Sequence, residues 1–227
     1  MKRVFYTEIS YIIGLVSVAL SAAFMEASDF GVSMVVAPAY IIYLKLSQIF
    51  DFFTFGMSEY MLQALILVAL TVIMRKFRWH YLFSFVTAVL YGFILDGAMA
   101  VIAVFNTGQV IVRILFYLIG ILFCSAGVAL IFETYIPPEA YELLVKEVSR
   151  KFGIDINKFK TGYDCVSCIL SVILSFVFFG FGHFEGVKVG TIIFALVNGR
   201  LIGMWSRFFK KHWKFKDAFN LRRRLET

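Results

Sequence analysis

Charged residues are scarce in this chain. Asp, Glu, Lys and Arg make up 16% of its 227 residues, where a soluble domain carries about a quarter. That is too few to clothe a water-facing surface, and it excludes a soluble globular protein. Proline is scarcer, at 3 residues, which argues against many short, broken elements and for long helices. Cysteine also numbers 3. The pair Cys165-x-x-Cys168 lacks the roughly four ligands of a zinc site, and no histidine lies near it. Cys124 is remote, so small residues on packed helix faces account for all three. His80, His183 and His212 are scattered at helix ends and read as interfacial. There is no P-loop, no GxSxG, no HExxH and no dinucleotide fingerprint. No nucleophile–base set is visible, so neither an enzyme nor a cofactor or metal is expected.

What the chain has is apolar surface. Hydrophobic residues make up 61%, aromatics 18%, and Phe alone numbers 27, a composition suited to lipid-facing helices. The net charge is +7. Its basic residues sit between hydrophobic runs and in the tail, so anionic lipid headgroups are the expected partner and nucleic acid is not.

Eight segments emerge: Ile9 to Ala27, Val32 to Phe50, Met57 to Met74, Tyr81 to Phe105, Val110 to Phe132, Pro137 to Phe152, Tyr163 to Gly180 and Val187 to Phe208. The first follows Lys2 and Arg3 but is too long for a signal-peptide core, and is expected to be a retained span. Pro137 to Phe152 carries Glu139, Glu142, Lys146, Glu147, Arg150 and Lys151. Each charge at mid-bilayer costs about 2.5–3.5 kcal/mol, so this segment is a surface, re-entrant or cavity-lining helix.

An internal repeat pairs the segments. Tyr11 to Gly14 reappears as Tyr117 to Gly120, about 106 residues on. Phe55 to Tyr60 aligns with Phe159 to Cys165, setting Glu59 opposite Asp164, and Tyr91-Gly92 aligns with Asn198-Gly199. Pro137 to Phe152 then answers to Val32 to Phe50, which holds Pro38 and Lys45. If neither spans, four basic groups fall on one side: Lys2 and Arg3; Arg75, Lys76 and Arg78; Lys146, Arg150, Lys151, Lys158 and Lys160; and the tail from Arg207 through Arg224. The other side keeps Lys45, Arg113 and Lys188. The positive-inside rule selects six spans with both termini cytoplasmic. Three spans per half make the halves inverted. The expected fold is therefore all-α: a polytopic membrane bundle, about six transmembrane helices as a 3+3 inverted repeat, with two short re-entrant or surface helices. It forms one membrane domain, 1–227, with repeats near 9–105 and 110–208 and a basic tail, 209–227.

Asp29 to Met34 followed by Ala37-Pro38-Ala39-Tyr40, Lys151-Phe152-Gly153-Ile154, and Gly190-Thr191-Ile192 through Asn198-Gly199 and Leu201-Ile202-Gly203 resemble stretches of the YczE/YyaS/YitT family of bacterial membrane proteins. The resemblance covers about Ile9 to Phe208 and implies a multi-pass protein of the bacterial inner membrane. It implies no substrate or reaction. Pro137-Pro138 departs from the small residues that many members carry there.

Intramembrane ionisable groups are the best functional pointers. Asp96 lies well inside the fourth span and is a candidate cation or proton site, or else a partner of Arg113. Glu59 and Asp164 are a candidate pair of gate acids, or else helix-start carboxylates favoured by the dipole. Glu26 and Asp29 would add a cation-attracting vestibule. Arg200, inside the last span, requires a cavity, an acid such as Asp164 or Glu133, or snorkelling. An outer route is expected to pass Ser33, Pro38, Tyr40, Glu59, Gln63 and Asp96. The inner one would pass Glu133, Glu139, Tyr141, Asp164, Asn198 and Arg200. Two functions fit: a secondary transporter or channel for an unknown small solute or ion, with its site between the repeats, and a non-transporting accessory or regulatory protein. A homo-oligomer is compatible with either.

Overall fold

The computed structural model describes residues 3–105, 107–182 and 185–219. Its elements are β1 (Arg3–Tyr6), α1 (Thr7–Ser28), α2 (Ala37–Leu46), α3 (Phe55–Met74), α4 (His80–Ile102), α5 (Val110–Phe132), α6 (Ala140–Phe152), α7 (Ile156–Phe179), α8 (Val189–His212) and β2 (Trp213–Lys216). Six of these, α1, α3, α4, α5, α7 and α8, are long and apolar enough to cross a membrane. The protein is an all-α polytopic helix bundle. His183 and Arg222 to Arg224 lie outside the described residues.

α1 and α5 form the centre. Two glycines set how closely they cross. A Cβ on Gly14 would stand 2.8 Å from Ile131 Cγ1 and 2.9 Å from the Gly127 carbonyl. A Cβ on Gly120 would stand 2.8 Å from Met25 Cγ and 3.2 Å from the Ser21 carbonyl. Adding about 106 to Gly14 gives Gly120, and subtracting it from Gly127 and Ile131 gives Ser21 and Met25. The same crossing is thus made twice by repeat-related residues. In a membrane, helices gain their attraction from such close backbone approach.

The periphery repeats the pattern. Ser84 Oγ in α4 donates to the Pro138 carbonyl just before α6. Its counterpart, Thr191 Oγ1 in α8, donates to the Val32 carbonyl before α2. Tyr11 OH donates to Thr87 Oγ1 in α4 at 2.7 Å, and Tyr117 OH donates to the Gly190 carbonyl in α8. Each short helix packs on the other repeat's span, α6 on α3 and α2 on α7. This is the arrangement an inverted repeat demands.

The loops sort into two faces. On one, Asp29 meets Arg113 and Lys188, and Lys45 donates to the Phe178 carbonyl. On the other, Arg78 pairs with Glu147 and Lys210 with Glu133. There β1 and β2 pair in parallel, Arg3 opposite Trp213, so both described ends share this second face. The strand pair was not expected from sequence. Phe5 stacks on Trp213 at 5.3 Å and seals it.

The two short helices enter from opposite faces. α6 is amphipathic and buries Leu143, Leu144 and Val148 against Leu67, Leu70 and Tyr81. Its first N–H meets Gln63, the middle of α3, about 16 Å along that helix from Met74. The Ala39 carbonyl of α2 accepts from Ser58 Oγ near the start of α3.

Candidate functional site

α6 starts at mid-depth because Pro137-Pro138 ends the preceding chain and leaves Glu139 as the N-cap. Around that start, three elements converge. Tyr141 OH donates to Glu59 Oε2 at 2.8 Å. Gln63 Nε2 lies 3.4 Å from Glu59 Oε2 and 3.4 Å from Glu139 Oε2. Gln63 Oε1 accepts the Ala140 N–H at 3.0 Å. Glu59, Gln63 and Tyr91 are each fully buried. Glu59 Oε1 and the Tyr91 hydroxyl have no hydrogen-bond partner among the described residues. Burial, and then Glu142 beside it, push the Glu139 carboxyl up to about 7. Two carboxylates thus share one amide in the bundle interior. Such a pair cannot hold two charges without a neutralising group.

The sequence assigned Glu59 and Gln63 to an outer route and Glu139 and Tyr141 to an inner one. The structure brings all four together. Tyr91, read only as a repeat marker, was missed as a member. The available signal was its place one helix turn after Thr87, which itself follows Ser84, on a polar stripe of α4.

The remaining candidates scatter. Asp96 does not pair with Arg113. Its carboxylate accepts from Thr54 Oγ1 and the Gly56 N–H, each at 2.7 Å, and so ties α4 to the start of α3. Arg113 instead reaches Asp29 at 2.8 Å and lies over the Phe30 ring. Glu59 and Asp164 are not equivalent. Asp164 lies well inside α7 rather than at its start, paired with Lys160 at 3.3 Å, and Lys160 also reaches Glu142 at 2.8 Å. Glu133 is taken by Lys210 and Ser206, so it is not an Arg200 partner. Arg200 is exposed on α8, and Asn198 Oδ1 beside it is buried and unpartnered among the described residues. Ser33 serves through its carbonyl, which accepts the Val36 and Ala37 N–H groups that open α2.

Tyr40 lines a small pocket on the first face with Glu26, Asp29, Glu185 and Lys188. Tyr40 OH lies 3.5 Å from Glu26 Oε1. Glu26 and Asp29 thus border a surface recess separate from the Glu59 cluster, and Asp29 is already paired with Arg113 and Lys188. Among the described residues no three His, Cys, Asp or Glu side chains are grouped to hold a metal, and Cys124, Cys165 and Cys168 are free thiols.

No curated protein and no solved structure matches the chain. One family model does, over residues 5–207, nearly the whole helical body built above. The chain belongs to the family of unknown function DUF6198.

Proposed function

We propose that this protein is a secondary transporter or channel for a small solute, with its site at the Glu59–Gln63–Glu139–Tyr141 cluster between the repeats. The observation that carries this reading is the meeting of two buried carboxylates at a helix start held halfway across the bundle. Inverted-repeat transporters place their sites at such interrupted helices near the midplane. Acids outnumber bases in the interior, which favours a cation, a cationic metabolite or a proton-coupled zwitterion. No enzymatic activity is proposed.

The membrane is taken as the bacterial inner membrane, in keeping with the resemblance of Asp29 to Met34 and Lys151 to Ile154 to the YczE/YyaS/YitT family. Both termini are placed in the cytoplasm. Arg75, Lys76, Arg78, Arg150 and Lys151 crowd the face that carries β1 and β2, and the positive-inside rule supports that orientation. These residues are also the proposed contacts for anionic headgroups.

A second reading, a non-transporting accessory protein, is favoured by one observation: Glu59 and Gln63 are sealed, at 0% exposure each. Uptake of a panel of labelled metabolites into proteoliposomes separates the two. Transport should exceed empty vesicles for some solute and fall at least tenfold in Glu59→Gln. Absence of flux across the panel, with the protein folded and inserted, would favour the accessory role.

A further inference from the structure

Resting on the reading of the Glu59–Glu139 cluster as the site, we propose that its coupling ion is a single proton, bound at Glu59 Oε1, and not a metal cation. Gln63 decides between the two. Its Oε1 accepts the Ala140 N–H, and a backbone N–H can only donate. The amide is therefore locked with its NH2 toward both carboxylates. Tyr141 adds an O–H aimed at Glu59 Oε2. Three donor hydrogens converge where a metal would require oxygen lone pairs. A hard cation such as Ca2+ takes about 6–8 oxygens, and Glu59 Oε2, Glu139 Oε2 and Gln63 Oε1 are already engaged with donors. A proton needs one lone pair, and Glu59 Oε1 is buried and unpartnered among the described residues. The Tyr91 hydroxyl is likewise fully buried and unpartnered among the described residues.

Neighbouring charges leave this assignment intact. Lys160 of α7 is the nearest base to the α6 start, but Glu142 and Asp164 already hold it. Tyr163 of α7, Tyr11 of α1 and Cys124 of α5 are neutral near pH 7. From α2, Tyr40 turns to Glu26 and Lys45 to the Phe178 carbonyl. Burial raises the Glu139 carboxyl, but its place at the positive end of the α6 dipole works against that. Glu59 lies past the first turn of its own helix, α3, so the proton is assigned to Glu59. In the step itself, hydronium at one face gives its proton to the Oε1 lone pair, forming O–H and leaving water. The reverse transfer to water at the other face restores the carboxylate.

The test uses the purified full chain in nanodiscs. Infrared difference spectra over a pH titration should show one buried protonated carboxyl that titrates in the wild type. It should be lost in Glu59→Gln and retained in Glu185→Gln. If Glu59→Gln does not fold, Tyr141→Phe, which removes the hydrogen bond to Glu59 Oε2, should keep the band and shift its frequency. Thermal unfolding should be unchanged when choline chloride is replaced by sodium, potassium or calcium chloride. A titrating carboxyl absent from the wild type, or indifferent to both variants, overturns the proposal. So does a cation-specific stabilisation that Glu59→Gln abolishes. A proton that titrates without any solute flux would retire the transport reading alone; flux without it would retire this inference alone.

Discussion

The two outer hairpins, α3–α4 and α7–α8, descend from the same repeated segment and are packed differently. In the first, Gly56 and Gly92 let the helices touch. A Cβ on Gly56 would stand 2.2 Å from the Gly92 carbonyl and 2.6 Å from Asp96 Oδ2. In the second, a Cβ on Gly162 or Gly199 would meet nothing within 4 Å, and α7 and α8 are not among the closely packed pairs. The spanning windows of α3 and α4 are 28% and 39% buried, against 17% for each of α7 and α8. Asp96 explains part of the difference. It ties α4 to the α3 start, whereas the repeat-related position near Gly203 has no side chain to offer. Sequence-related halves can therefore be packed unlike one another, and the Asp96 carboxylate is one of the ties that close the first hairpin.

The largest expected effect breaks the closed hairpin. Gly56→Leu should destabilise at the upper end of about 1–3 kcal/mol, because its neighbour is backbone and cannot yield. Gly199→Ala should do the opposite and gain up to about 1 kcal/mol of helix propensity. Thermal unfolding in detergent reads both, and equal losses from Gly56→Leu and Gly199→Leu would mean the hairpins are packed alike. Next is Asp96→Ala, expected to cost about 1.5–3 kcal/mol as two hydrogen bonds to a charged acceptor are lost. Adding Arg113→Ala should leave that loss unrepaired. Restoration in the double variant would show that the two side chains interact after all. A smaller term lies at the entry to α8. A double-mutant cycle between Asp29 and Arg113 should give about 0.2–1 kcal/mol, since Asp29 is 61% exposed and screened. Smallest is Arg200→Ala, within about 0.5 kcal/mol in detergent; a loss above about 2 kcal/mol would reveal a partner for α8 and a less open second hairpin.

Much of this architecture was legible in advance. Val110 to Phe132 was read with the boundaries the structure gives α5, and six spans followed from hydropathy and loop charge. The repeat was legible because Tyr11, Gly14 and their mates sit where the central helices cross, and close packing tolerates few alternatives there. The pairing of Asp96 with Arg113 was misread for a physical reason. Sequence gives depth along a helix, but the direction a side chain faces depends on helix rotation and packing. The start of α7 was placed too late because Lys158 and Lys160 look like a loop. Asp155 accepts the Lys158 N–H at 3.1 Å and starts the helix earlier. The Glu59 cluster was legible as residues and not as a site, because its members come from three helices far apart in the chain. The strands were invisible, since an alternation over four residues carries little signal.

Those strands have a consequence for how the protein is made. β1 precedes all six spans and β2 follows them, and Thr7 beside β1 bonds Asp217 across 210 positions. β1 therefore has no strand partner until α8 has been made, and the strand pair acts as a clasp that closes over the assembled spans. A chain cut short before Trp213 leaves that clasp open and the Phe5 ring without its stacking partner.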